Sequence, residues 1–96
     1  MSCSVSTHVL DTAAGRPAAG VAVELLRDRT TVASVETDAD GRARLGDDLA
    51  PGTYALVFHP PSPFFTRVEL QVELEDGHYH VPLLVSAFGC ASYRGS

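Results

Sequence analysis

His78-Tyr79-His80-Val81-Pro82-Leu83-Leu84-Val85-Ser86-Ala87-Phe88-Gly89-Cys90-Ala91-Ser92-Tyr93-Arg94-Gly95-Ser96 reads as two antiparallel strands joined by a turn. The first strand covers residues 78–86 and the second residues 90–96, with Ala87-Phe88-Gly89 between them. Alternate side chains of a strand share a face. His78, His80, Pro82 and Leu84 therefore point one way, and Tyr79, Val81, Leu83 and Val85 the other. Two imidazoles on one face of an apolar strand suggest acid–base chemistry, because histidine titrates near neutral pH. An ordinary terminus is a frayed polar tail. Here Tyr93-Arg94-Gly95-Ser96 continues the strand and gathers a phenol, a guanidinium, a hydroxyl and a terminal carboxylate.

Working outward, the rest of the chain repeats the strand-and-turn pattern, and helical periodicity is nearly absent. Strands are predicted over residues 5–11, 21–27, 31–36, 42–45, 53–59 and 65–74. Gly-, Pro-, Asp- and Thr-rich turns separate them, the pattern of an all-β sandwich. The first strand puts Ser6, His8 and Leu10 on one face and Val5, Thr7 and Val9 on the other. The sixth has the cleanest alternation: Val68, Leu70, Val72 and Leu74 inward, Arg67, Glu69, Gln71 and Glu73 outward. Residues 46–52 read as a loop. Pro60, Pro61 and Pro63 make residues 60–64 a stiff extended link, because each Pro fixes its own φ and restricts the residue before it. The expected architecture is eight strands in two antiparallel sheets.

At 96 residues the chain is expected to form one domain over residues 1–96. Such a chain buries only about 60–65% of its unfolded surface, so its core is thin and association would help. A formal net charge of −5 and the lack of a basic patch argue against nucleic acid. No apolar run reaches membrane-spanning length. Met1-Ser2-Cys3-Ser4-Val5 lacks the features of a signal peptide, which points to an uncleaved cytoplasmic protein. Cys3 and Cys90 are expected as free thiols. Cys90 reads as an apolar filler rather than a nucleophile.

Three segments carry a family resemblance. They are Ser6-Thr7-His8-Val9-Leu10-Asp11-Thr12 with Gly15-Arg16-Pro17-Ala18 behind it, Thr37-Asp38-Ala39-Asp40-Gly41-Arg42, and His78-Tyr79-His80-Val81-Pro82-Leu83-Leu84 followed by Tyr93-Arg94-Gly95-Ser96. In that order they resemble the 5-hydroxyisourate hydrolases, the transthyretin-related enzymes of urate degradation. The resemblance implies a transthyretin-like sandwich, with the family's short helix after the fifth strand deleted at residues 60–64. A second departure is Gly89-Cys90-Ala91-Ser92, where the family usually has Gly-Tyr-Ser-Thr.

The resemblance also assigns roles. It implies hydrolysis of an amide in 5-hydroxyisourate to 2-oxo-4-hydroxy-4-carboxy-5-ureidoimidazoline, without a cofactor, in a homotetramer whose site is shared between stacked dimers. His8, His80 and Ser96 become the catalytic set, the two imidazoles moving protons and placing water. Arg42 and Arg94 become grips for purine carbonyls and the developing oxyanion. Tyr93, Gly95 and His78 complete the substrate-binding set. Taken singly, each has a plain structural reading: His8 as a polar residue on a half-exposed strand, Arg42 as a solvated turn residue, His80 as a satisfied core histidine.

Two metal readings compete. His8, His78 and His80 could supply imidazoles to zinc, but no carboxylate second shell is visible, and a metal-free site is preferred. Glu36, Asp38, Asp40 and Asp47 outline part of a calcium loop, which a hairpin turn led by Asp-Gly explains better. The alternative function is a small-ligand-binding module of the same fold without catalysis.

Overall fold

The computed structural model describes residues 1–95; Ser96, assigned to the site on its motif, lies outside the described residues. The elements are β1 (Cys3–Asp11), β2 (Arg16–Pro17), β3 (Ala22–Arg27), β4 (Thr30–Glu36), β5 (Arg42–Leu49), β6 (Gly52–Phe58), β7 (Val68–Leu74), β8 (Gly77–His80), β9 (Leu83–Val85) and β10 (Cys90–Ser92). The eight expected strands become ten elements for two reasons. Arg16 and Pro17 pair with the end of β1. The strand expected over residues 78–86 is divided at Pro82, which has no N–H to give a ladder. β5 also runs four residues past the expected end at Leu45, through a bulge against β1.

One sheet centres on β1, with β5 and β2 on one side and β8, β9 and β10 on the other; the second runs β4-β3-β6-β7. Both sheets are dominated by antiparallel pairing, as expected, with one exception. β1 pairs with both β8 and β9 in parallel, while every other strand pairing is antiparallel. Parallel neighbours need a long crossover, and here the entire second sheet lies between the two strands in sequence. The register does not slip at Pro82. Ser6 faces His80 and Val9 faces Leu83 at the same offset, so His8 stands beside Pro82 and the interruption rotates no side chain to the other face.

Alternation builds the core. Cys3, Val5 and Val9 of β1 meet Val23 and Leu25 of β3, Tyr54, Leu56 and Phe58 of β6, and Leu83 and Val85 of β9. Each fully buried aliphatic or aromatic side chain contributes about 1.5–3 kcal/mol. Thr7 is the polar exception on that face, and its Oγ1 donates to the Val81 carbonyl at 2.6 Å. That bond ties β1 to the chain beside the Pro82 break.

Two turns position the site. Between β4 and β5, the Asp38 carboxylate accepts the Asp40 and Arg42 N–H groups, each at 2.9 Å. Gly41 has φ 76°, and a Cβ there would lie 2.5 Å from the Val9 carbonyl. Its own carbonyl accepts the Val9 N–H at 2.7 Å, which docks the turn onto β1 and sets Arg42 beside His8. The acidic residues of this segment thus form a tight turn, and the expected hairpin needs correction, because β4 pairs with β3 and β5 with β1, so the turn carries the chain from one sheet to the other. After β6, residues 60–64 form a link with no helix, as expected, but it is bent rather than extended: the Ser62 N–H donates to the Pro60 carbonyl at 2.8 Å. Ser62 Oγ holds it by accepting the N–H groups of Phe64 and Phe65.

Candidate active site

The face of the β5-β1-β8 strands turned away from the core carries the polar residues. On β1 it presents Ser4, Ser6 and His8. Register places His78 beside Ser4 and His80 beside Ser6 on one flank, and Arg44 beside Ser6 and Arg42 beside His8 on the other. Neighbouring strands lie about 4.8 Å apart, so His80, Ser6 and Arg44 form a row about 10 Å across. The His8–Arg42 pair lies one pleat further along. Four sequence-predicted residues, His8, Arg42, His78 and His80, are therefore brought onto one surface by three strands.

Hydrogen bonds orient the rings. His8 Nε2 donates to the Asp40 carbonyl at 2.8 Å. A carbonyl only accepts, so neutral His8 carries its proton there and leaves the Nδ1 lone pair available. Ser6 Oγ lies 2.9 Å from His80 Nδ1 and 2.9 Å from His78 Nε2, and Ser4 Oγ lies 2.7 Å from His78 Nδ1. Partial burial pushes the His80 pKa below the ordinary imidazole value, and the charges of Arg42, His8 and His78 push the same way. His80 is therefore a neutral base at pH 7. Arg44 is engaged by both carboxylate oxygens of Asp47, which leaves Arg42, also exposed, as the guanidinium of this face without a carboxylate partner among the described residues. A cavity of about 450 Å³ is lined by Ser6, Arg42, Arg44 and His80, with Glu36 and Asp38 contributing carboxylates.

The C-terminal segment reaches this face through Gly95. Its N–H donates to the His80 carbonyl at 2.7 Å, in the register that pairs Ser92 with Leu83. A Cβ on Gly95 would stand 2.8 Å from His80 Cδ2, so only glycine lets the chain lie against the imidazole. Tyr93 and Arg94 are placed differently. The Arg94 guanidinium lies 4.3 Å over the Tyr79 ring, on the side of β8 opposite His78 and His80. Both residues line a second cavity of about 550 Å³ between β7 and the C-terminal segment. Within one chain the Arg94 side chain and the histidines therefore occupy separate surfaces.

Among the described residues, no group of three His, Cys, Asp or Glu side chains is arranged to hold a metal ion. Cys3 and Cys90 are free. Cys3 is buried, its thiol against the Leu49 carbonyl, and burial raises the Cys90 pKa, which disfavours thiolate. Sequence reasoning passed over Ser4, Ser6 and Arg44. Parity was the available signal: Ser4 and Ser6 alternate with core residues in step with His8, and Arg44 is in step with Arg42.

A β-sandwich with this histidine and arginine face defines the class, and the chain belongs to the HIUase/Transthyretin family, whose model matches residues 5–95. Within that family it is similar to hydrolases. It is 44% identical to the 5-hydroxyisourate hydrolase of Caulobacter vibrioides, over 96% of this chain and 97% of that protein. The solved structure of Klebsiella pneumoniae 5-hydroxyisourate hydrolase matches with a TM-score of 0.90 at 36% identity, covering 97% of this chain and 99% of that one. Sea bream transthyretin, solved with thyroxine, shares the fold with a TM-score of 0.82 at 24% identity, covering 95% of this chain and 93% of that one. The alignment to the Caulobacter protein spans 112 residues, more than the 96 of this chain, so that relative holds internal residues with no counterpart here. No helix among the described residues is long and apolar enough to cross a membrane.

Proposed function

We propose that this chain is a hydrolase that opens 5-hydroxyisourate to 2-oxo-4-hydroxy-4-carboxy-5-ureidoimidazoline in urate degradation. The observation that carries this is the convergence of His8, Arg42 and His80 on one face, in a chain of the same family that aligns over nearly its whole length with the named hydrolases. His80, neutral and partly desolvated, takes a proton from water. His8, its Nε2–H fixed on the Asp40 carbonyl, offers Nδ1 to hold that water or to pass a proton toward the leaving nitrogen. Arg42 stabilises the oxyanion as water adds to the carbonyl. Ser96 joins the catalytic set on its motif. His78, Tyr93, Arg94 and Gly95 bind substrate, with Gly95 holding the terminal segment against His80.

The protein works as a single domain over residues 1–96 and as a cytoplasmic homotetramer. β7 and β10 end their sheets as unpaired edges, a form suited to edge-to-edge pairing. Tyr93 is 59% exposed, and it and Arg94 lie where a neighbouring copy would complete a shared pocket. The test is the ultraviolet decay of freshly generated 5-hydroxyisourate with and without the protein. Accelerated decay that His80→Asn suppresses by about 10²–10⁴-fold is expected. Decay unchanged by the wild-type protein would leave a ligand-binding module as the better account.

A further inference from the structure

We infer that Ser6 is a positioning residue whose single hydroxyl wires His80 and His78 into a directed proton relay, leading from the half-buried ring to the exposed one. The inference rests on the hydrolase reading and extends it to a residue outside the catalytic set. Its basis is stoichiometric. Ser6 Oγ is 2.9 Å from His80 Nδ1 and 2.9 Å from His78 Nε2, yet a hydroxyl has one proton to donate. When one imidazole accepts it, the other must donate its own N–H to the same oxygen. The tautomers of the two histidines are therefore locked together through Ser6.

The base role of His80 sets the direction. Its lone pair must sit on Nε2, so Nδ1–H donates to Ser6 Oγ. Ser6 O–H then donates to His78 Nε2, and His78 Nδ1–H donates to Ser4 Oγ, 2.7 Å away. When His80 Nε2 takes a proton from the attacking water, its Nδ1 proton passes to Ser6 Oγ and the Ser6 proton passes to His78 Nε2. No bond other than O–H and N–H changes, and no further reactant is required. His80 is left neutral with its proton on Nε2; it hands that proton to the leaving nitrogen as the relay runs back, His78 Nε2–H to Ser6 Oγ and the Ser6 proton to His80 Nδ1. The positive charge ends on His78, which is exposed to solvent. The surroundings favour that transfer. His80 faces Arg42 and His8 as well as His78, whereas His78 lies on the side nearer Asp47, whose carboxylate feels its charge.

The test has two independent arms. Two-bond ¹⁵N–¹H correlation spectra of the substrate-free protein above pH 7 read the tautomers directly. The expected result is Nδ1–H on both His78 and His80. Steady-state rates then compare Ser6→Ala with Ser6→Thr, with circular dichroism to confirm folding. Ser6→Ala should lower kcat about 10–100-fold with little change in KM, and Ser6→Thr, which keeps the hydroxyl, should recover most of it. A neutral His80 with its proton on Nε2, or a folded Ser6→Ala enzyme with wild-type kcat, would overturn the relay. Absence of turnover in the wild-type protein would sink the hydrolase reading, and the spectra would still decide the wiring.

Discussion

Replacing Gly95 with Ala tests whether the terminal segment shapes the catalytic ring. The added methyl would stand 2.8 Å from His80 Cδ2 and 3.3 Å from its Cβ. Carbon atoms settle at about 3.5–4.0 Å, so the ring must withdraw by roughly 0.7 Å or the segment must lift away. Withdrawal stretches the 2.9 Å contact between Ser6 and His80 beyond a good hydrogen bond; lifting breaks the 2.7 Å bond from the Gly95 N–H to the His80 carbonyl. Misplacing a catalytic group by about 1 Å can cost about 10²-fold in rate, and a loss of that order in kcat is expected. Folding should barely respond. Gly95 is not among the residues at positive φ, and a substitution outside the core normally shifts stability by less than about 0.5 kcal/mol. The assay is the initial rate of 5-hydroxyisourate decay, set beside a thermal melt followed by circular dichroism. A variant with wild-type kcat would refute the packing of Gly95 on the imidazole in the working enzyme.

Thr7→Val removes the buried donor to the Val81 carbonyl. It should destabilise by about 1–3 kcal/mol, visible as a melting temperature lower by at least about 4 °C; an unchanged melt would show that the Thr7 hydroxyl does not hold the Val81 carbonyl. The acid limb of kcat/KM should fall below the ordinary imidazole value of about 6.5, because burial, Arg42, His8 and His78 hold His80 down. Arg42→Gln should move that limb upward; a limb that stays fixed would assign the titration to another group. The same shift bears on stability. Between the depressed folded pKa and about 6.5 the unfolded chain binds more protons, so this contribution is complete above 6.5 and lost as pH falls through the folded value. His80→Asn should flatten that loss in urea titrations across pH. Deleting residues 93–96 should abolish turnover while the far-ultraviolet spectrum persists; an active truncation would remove the terminal segment from the site.

Side-chain parity made much of this legible. The two-residue period put His78 and His80 on one face and Ser6 with His8 on one face, and both groupings hold in the sheet. The three prolines announced a link without a helix at residues 60–64, though not the tight turn that closes from Ser62 back onto Pro60. Pro82 was visible, but its effect was not: a strand drawn through it is correct in register and interrupted in hydrogen bonding. The parallel pairing of β1 with β8 and β9 was illegible because nothing local encodes the partner of a strand more than seventy positions away. Ser6 was missed for the same reason. A serine on a half-exposed strand is unremarkable until two imidazoles arrive from the far end of the chain. Arg94 was grouped with the histidines by its motif. Its guanidinium lies over Tyr79 instead, because alternation puts adjacent residues on opposite faces.

The parallel ladder between β1 and β8 also bears on how the molecule is made. Cys3 pairs with Gly77, and Ser6 with His80, so the central strand of one sheet lacks its partners on one side until nearly the whole chain exists. Closing such loops is slow, and proteins rich in distant contacts fold in milliseconds to seconds. During that interval β1 presents the backbone of Ser6 along an open edge, a template for unwanted pairing between nascent chains. The second sheet closes through hairpins of short span, β3 with β4 and β6 with β7, and is the natural platform to form first. Catalytic competence and escape from aggregation would then arrive in the same late step.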